Sequence, residues 1–288
     1  MKAQIILSAL LLLGLANASA QWQNTPAVAA DYTRLTKTYN APQGDAQLTL
    51  TVDFPDAYAP YAGEVNQWLV HLADRAFLSG DSFGGLPTDH AALGQFVARK
   101  FFRFAAQQVK HDVAEPSPYA YTYSMLVNTQ APTFITYQLE TGLQFGAKHT
   151  MMGRQLVTFI YGSGEADNDA LLRQNKFKAV KEALLKSAFA DVDFMQSSNV
   201  AGQNVTKPSQ LRGLLSPAGN DGWDGMVLPP AALTDAGVVF SFTPAAGTPA
   251  AKSTYHFTVP YLTLQHCFTN EASQAITTAF PSVFVKPK

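Results

Sequence analysis

The sequence predicts an α+β fold, an antiparallel β-meander with helices packed on the sheet. Three observations point there. "YAYTYSMLVNTQ" (119–130), "TFITYQLETGLQF" (133–145) and "RQLVTFIYG" (154–162) are strand-like runs in close succession. The "APT" between the first two is short enough for an antiparallel hairpin. Two further stretches carry apolar residues at helical spacing: "AGEVNQWLVHLADRAFL", with Val65, Trp68, Leu69, Leu72, Ala76 and Phe77 in phase, and "DALLRQNKFKAVKEALLKSAF", capped by Asp167 or Asn168.

Residues 21–45 are polar and hold Pro26, Pro42 and Gly44, so they read as a lead-in with one short strand. "QLTLTVDFP" then alternates Leu48, Leu50, Val52 and Phe54 against polar partners, the pattern of a half-buried strand ended by Pro55. After the first helix, "SGDSFGG" is a break, and Thr88 or Asp89 caps a second helix with the face Leu93, Phe96, Val97, Phe101, Phe104 and Val109. The three strands follow "EPSP", with "GAKHTMMG" as the link before the third. Tyr119, Tyr121 and Tyr123 share one strand face and are expected to pack in the core. Residues 191–230 are rich in Gly, Pro and Asn, with short helices around "PSQLRGLL". "AGVVFSFTP" and "STYHFTVPYLTL" close the fold as a strand pair.

Lys2, the apolar run "IILSALLLLGLA" and "ASA" at Ala18–Ala20 have the layout of a secretory signal cleaved before Gln21. The expected division is a signal peptide at 1–20, an N-terminal α+β portion at 21–131 and a C-terminal portion at 132–288. The two portions are also compatible with one continuous domain. The mature chain is expected to be exported, periplasmic or extracellular, with no membrane span left after cleavage. Net charge is −1 and charged residues make up 14%, which leaves no basic stripe for nucleic acid and no polybasic patch for anionic lipid. A surface rich in uncharged Thr, Gln, Asn and Ser is expected instead. Cys267 is the only cysteine, so an internal disulfide and a cysteine-based metal site are both excluded.

"GDSFG" (80–84) satisfies the G-x-S-x-G pattern of a serine nucleophile elbow, which needs a strand, a sharp turn and a helix in that order. A helix precedes it here, so the stretch reads as a loop. A serine hydrolase using Ser82 with a histidine such as His149 is the alternative function. "NDGWDG" (220–225) resembles a calcium loop in its spacing of oxygen ligands, but its twelfth position is Ala231, not a carboxylate. It reads as a turn that exposes Trp223, available to stack on a sugar. The six histidines match no metal motif, and His266 and Cys267, neighbours on a predicted strand, point to opposite faces. No cofactor and no metal are expected.

"ITYQLETGLQFGAKHT", followed by "RQLVTFIYGSG", resembles the conserved block of the RsiV-like domain of unknown function. This family includes the extracellular domain of the lysozyme-sensing anti-sigma factor RsiV and accompanies the peptidoglycan deacetylase PdaC. "AGVVFSFTP" and "TVPYLTL", with Val259, Pro260 and Tyr261, are similar to its closing motifs, so the likeness covers most of residues 47–264. The family's "GGAHG" turn becomes "FGAKHT" here, and its tyrosine-bearing "PYEIAPYAAG" becomes "TPAAGTPAAKS". The resemblance implies a non-enzymatic envelope protein that binds a cell-wall glycan or a lysozyme-like protein, and it implies no catalysis. The candidate binding residues are Gly146, Lys148, His149 and Trp223.

Overall fold

The computed structural model describes residues 27–41, 47–76, 93–100, 102, 119–145, 149–197, 200, 202–215, 222–242 and 254–285. The fold is α+β, as the hydrophobic periodicities predict. A six-stranded sheet runs in the order β1 (Tyr32–Asn40), β2 (Gln47–Pro55), β3 (Tyr119–Gln130), β4 (Phe134–Phe145), β5 (His149–Ile160) and β6 (Gly164–Ala166). A second sheet runs β7 (Ala231–Leu233), β8 (Val238–Phe242) and β9 (Tyr255–Val259).

The meander of β3, β4 and β5 is present. Ala131 N–H closes its first turn on Phe134 O at 2.9 Å. Thr136 meets Thr158 and Glu140 meets Arg154, four residues forward on β4 for four back on β5, which is antiparallel pairing. β5 begins at His149, so the link before it is residues 146–148 and not the eight-residue "GAKHTMMG". β1 and β2 pair antiparallel, whereas β2 and β3 pair in parallel from Gln47–Ala120 to Val52–Met125. Parallel neighbours need a long crossover, and the helical segments between β2 and β3 supply one.

The chain forms two compact units. The first takes Thr25–Val127 and Gln138–Arg154. Here Leu48, Leu50, Val52 and Phe54 of β2 are buried, and α1 (Ala62–Ala76) packs on that strand through its own buried Val65, Trp68, Leu69 and Leu72. Helical residues 93–100 bury Leu93, Phe96 and Val97. Of the tyrosine row, Tyr123 is buried in the core and Tyr121 is half-buried, while the side chain of Tyr119 lies outside the described residues.

The second unit takes Asn128–Tyr137 and Gln155–Lys288. Its apolar core joins Phe134, Val180, Leu184, Phe240, Phe257 and Phe268. α2 (Phe177–Ala190) packs on β9, and Phe194 meets Phe257 edge-on with ring centres 5.0 Å apart. The single helix expected over 169–189 is two pieces. Asp167 caps one turn, Asn168–Leu171, by accepting Ala170 N–H at 2.8 Å, and the helix then stops. Leu172 forms a β-bridge with Phe268, and Arg173 N–H donates to Cys267 O at 2.8 Å. This tertiary pairing overrides helix propensity at Leu172–Arg173. Residues 261–264, expected as strand, form a short helix; His266 and Cys267 lie in the turn after it. α3 (Asn270–Ala279) follows, with the Thr269 hydroxyl accepting Ala272 N–H at its start.

The closing motifs hold this unit together. Gly237 has φ +144°, and a Cβ there would lie 2.5 Å from Val259 O, so both backbone conformation and space require glycine. The chain next to Val259 turns at Pro260, and the Tyr261 hydroxyl, 2% exposed, donates to Thr234 O at 2.6 Å. In this chain "AGVVFSFTP" and "TVPYLTL" therefore serve packing.

Candidate functional site

Alternation along β2 and β3 sends one set of side chains into the core and the other to an open face. On the open face the register aligns two rows of hydroxyls across three strands: Thr38, Thr49 and Thr122, then Thr36, Thr51 and Ser124. Thr36 and Thr51 hydrogen-bond at 3.1 Å, as do Thr38 and Thr49. Rows two residues apart are about 6.7 Å from each other and neighbouring strands about 4.8 Å, so the hydroxyls form a regular lattice.

This lattice floors an open groove of about 190 Å³, whose far wall is Glu140, Thr141 and Gly142 of β4. β4 approaches β3 closely here: a Cβ at Gly142 would lie 2.3 Å from the Thr122 hydroxyl, which would have to move aside. Among the described lining residues Glu140 carries the one charge. Its Oε1 accepts Arg154 Nε at 2.6 Å, Gln138 Nε2 at 2.8 Å and Arg154 Nη2. The wall is thus electrically neutral, while each hydroxyl can donate and accept.

Beyond the hydroxyl rows, Asp53 is fully buried and faces Arg34 of β1. Arg34 Nε donates to Oδ1 at 2.6 Å and Nη2 to Oδ2 at 2.7 Å. The guanidinium pKa is raised, because its hydrogen bonds to the Asp53 carboxylate outweigh partial burial. Oδ2 also accepts Val127 N–H at 2.9 Å, one step past the last parallel pair, Val52–Met125. Asp53 therefore terminates the ladder and is a structural group.

Gly146, Lys148 and Ser82 lie outside the described residues; His149 opens β5, and its side chain is likewise outside them. Trp223 corrects the expectation of an exposed ring. It sits in the short helix Gly222–Gly225, is 5% exposed and packs on Phe242 with ring centres 6.3 Å apart. Lys181, buried beside it, donates to Trp223 O at 3.3 Å and Asp224 O at 2.6 Å, and desolvation lowers its pKa. That ammonium satisfies carbonyls at a helix C-terminus, where cations are favoured. Cys267 is buried, and burial raises its thiol pKa, which favours the neutral thiol over the thiolate. Among the described residues no group of His, Cys, Asp and Glu could hold a metal, and no helix is long and apolar enough to cross a membrane.

Sequence reading did not pick out the hydroxyl groove. Its signal was present in the polar partners of "QLTLTVDFP" and in Thr122 and Ser124, but only the parallel pairing of β2 with β3 aligns them.

No protein-family model matches the chain, and no curated protein matches it. Solved structures do. A member of the DUF3298 family from Bacteroides fragilis NCTC 9343 superposes with a TM-score of 0.55 at 14% identity, over 84% of this chain and 93% of that one. The chain shares the fold of that protein. A DUF3298 family protein from Pseudomonas aeruginosa PAO1 matches with a TM-score of 0.49 at 17% identity, over 84% and 95% of the two chains. The likeness to the Bacteroides fragilis protein speaks to architecture alone.

Proposed function

We propose that this protein is an exported, non-enzymatic binding domain of the cell envelope, and that the groove on β2, β3 and β4 takes a peptidoglycan-related glycan. The observation that carries the reading is the pair of hydroxyl rows beside a neutralised Glu140. A polyol offers alternating donors and acceptors without charge, and this floor matches it in kind. The signal-like layout of residues 1–20 supports a location where such glycans are found. The likeness of residues 47–264 to the RsiV-like domain supports an envelope role, with Gly146, Lys148 and His149 following the groove strand β4 in sequence.

Co-sedimentation with purified peptidoglycan sacculi tests this, with capture on immobilised lysozyme as the parallel arm. Sacculi should retain the wild-type protein. Thr51→Val with Ser124→Ala should weaken retention about tenfold, since two hydrogen bonds at about 0.7 kcal/mol each amount to that factor. No retention on sacculi overturns the glycan reading, and capture on lysozyme alone replaces it with a protein partner.

A further inference from the structure

Residues 56–61, between β2 and α1, form a tightly tied loop. Asp56 N–H donates to Asp31 O at 2.9 Å, the Thr33 hydroxyl donates to Asp56 Oδ1 at 2.7 Å, and Ala59 N–H donates to Asp56 O at 2.9 Å. Val65 N–H donates to Tyr61 O at 3.0 Å, and Ala59 is buried, which anchors the loop at its centre. On this frame Tyr58 is 97% exposed and Tyr61 48%. Tyr61 has φ +59°, a conformation strained for a bulky residue and free of strain for glycine. Core packing does not explain Tyr58, and backbone geometry argues against tyrosine at 61. Rigid exposed tyrosines of this kind mark binding surfaces, because they offer a large amphipathic area with little side-chain entropy to lose.

The exposed charges on the loop and its tied strand ends are the carboxylates Asp31 and Asp56. Glu64 follows in the first turn of α1, and residues 54–67 contain no lysine or arginine. We propose that the loop is a docking surface for a cationic segment of a protein partner. An arginine or lysine side chain would lie on the Tyr58 ring, with the Asp31 and Asp56 carboxylates as counter-charges. Ring faces attract cations, and nearby carboxylates steer them in. This surface stands apart from the glycan groove and does not depend on it.

Fluorescence anisotropy of labelled octa-arginine titrated with the full protein tests the proposal, with labelled chitohexaose as a neutral-glycan arm. Octa-arginine should bind saturably and more weakly as salt rises. Tyr58→Ala should weaken it roughly threefold to fivefold at unchanged charge. Tyr61→Gly should weaken it further while thermal unfolding holds or rises, because glycine relieves the left-handed backbone. A binding curve indifferent to Tyr58→Ala, or none at all, overturns the proposal. Tyr58-dependent binding of chitohexaose in place of octa-arginine overturns it too and makes the loop a saccharide platform.

Discussion

Arg34→Ala should lower the unfolding free energy of the first unit by about 3 kcal/mol. Asp53 is fully buried, and in the variant its carboxylate would keep the Val127 N–H and lose both guanidinium bonds. Removing one partner of a buried pair typically costs about 3–5 kcal/mol, because the remaining charge is left unsolvated. The lower end applies here, since the Arg34 side chain is 18% exposed and water can enter where it was. Arg34→Lys should recover only part of the loss, as one ammonium cannot reproduce the two-pronged contact. Arg34→Met with Asp53→Asn should recover most of it: no charge is left buried, and the amide oxygen still accepts Val127 N–H. Urea denaturation reads all four proteins. A loss under about 1 kcal/mol for Arg34→Ala would place the pair among ordinary surface ion pairs and contradict this account.

Thr136→Val should cost about 2–3 kcal/mol in the second unit, although Val and Thr have nearly the same shape. Thr136 and Thr158 are both fully buried, with hydroxyl oxygens 2.7 Å apart. Leu233 O lies 2.6 Å from Thr136 Oγ1 and can only accept, so Thr136 donates there. Thr136 Oγ1 must then accept from Thr158, whose own oxygen accepts Leu233 N–H at 2.9 Å. The three residues close a directed ring that fastens β7 by both main-chain groups of Leu233. Deleting one hydroxyl strands a buried carbonyl and reverses or breaks the remaining bonds, at about 1–3 kcal/mol for an orphaned group. Thr158→Val should cost a similar amount by orphaning Leu233 N–H. The double variant should cost less than the two singles together, by about 1 kcal/mol, because the ring is lost only once. Strict additivity in chemical denaturation would mean that the hydroxyls act independently.

Local pattern made the main elements legible. "QLTLTVDFP", "YAYTYSMLVNTQ" and the helix after Tyr61 stand where alternation and helical spacing put them, since each buries one face and must repeat accordingly. The misses have non-local causes. The break at Leu172–Arg173 comes from pairing with Cys267–Phe268, almost a hundred residues away in sequence. Trp223 looked exposed because its neighbours are Gly, Asn and Asp, yet Phe242 and Lys181 cover it from distant segments. The groove was illegible for the same reason: Thr49 and Thr122 become neighbours through a parallel pairing that no local pattern announces. The short family-like motifs told more about architecture than about a site, because Gly237 and Tyr261 are both spent on packing.

The central claim is that the open face of β2, β3 and β4 is the ligand surface. The most direct measurement is a titration of isotopically labelled protein with a soluble peptidoglycan disaccharide–peptide, followed through backbone amide shifts. The account predicts saturable shifts concentrated at Thr49–Thr51, Thr122–Ser124 and Glu140–Gly142, weakened about tenfold in affinity by Thr51→Val with Ser124→Ala. Saturable shifts centred elsewhere, or no shifts at millimolar ligand, would contradict it.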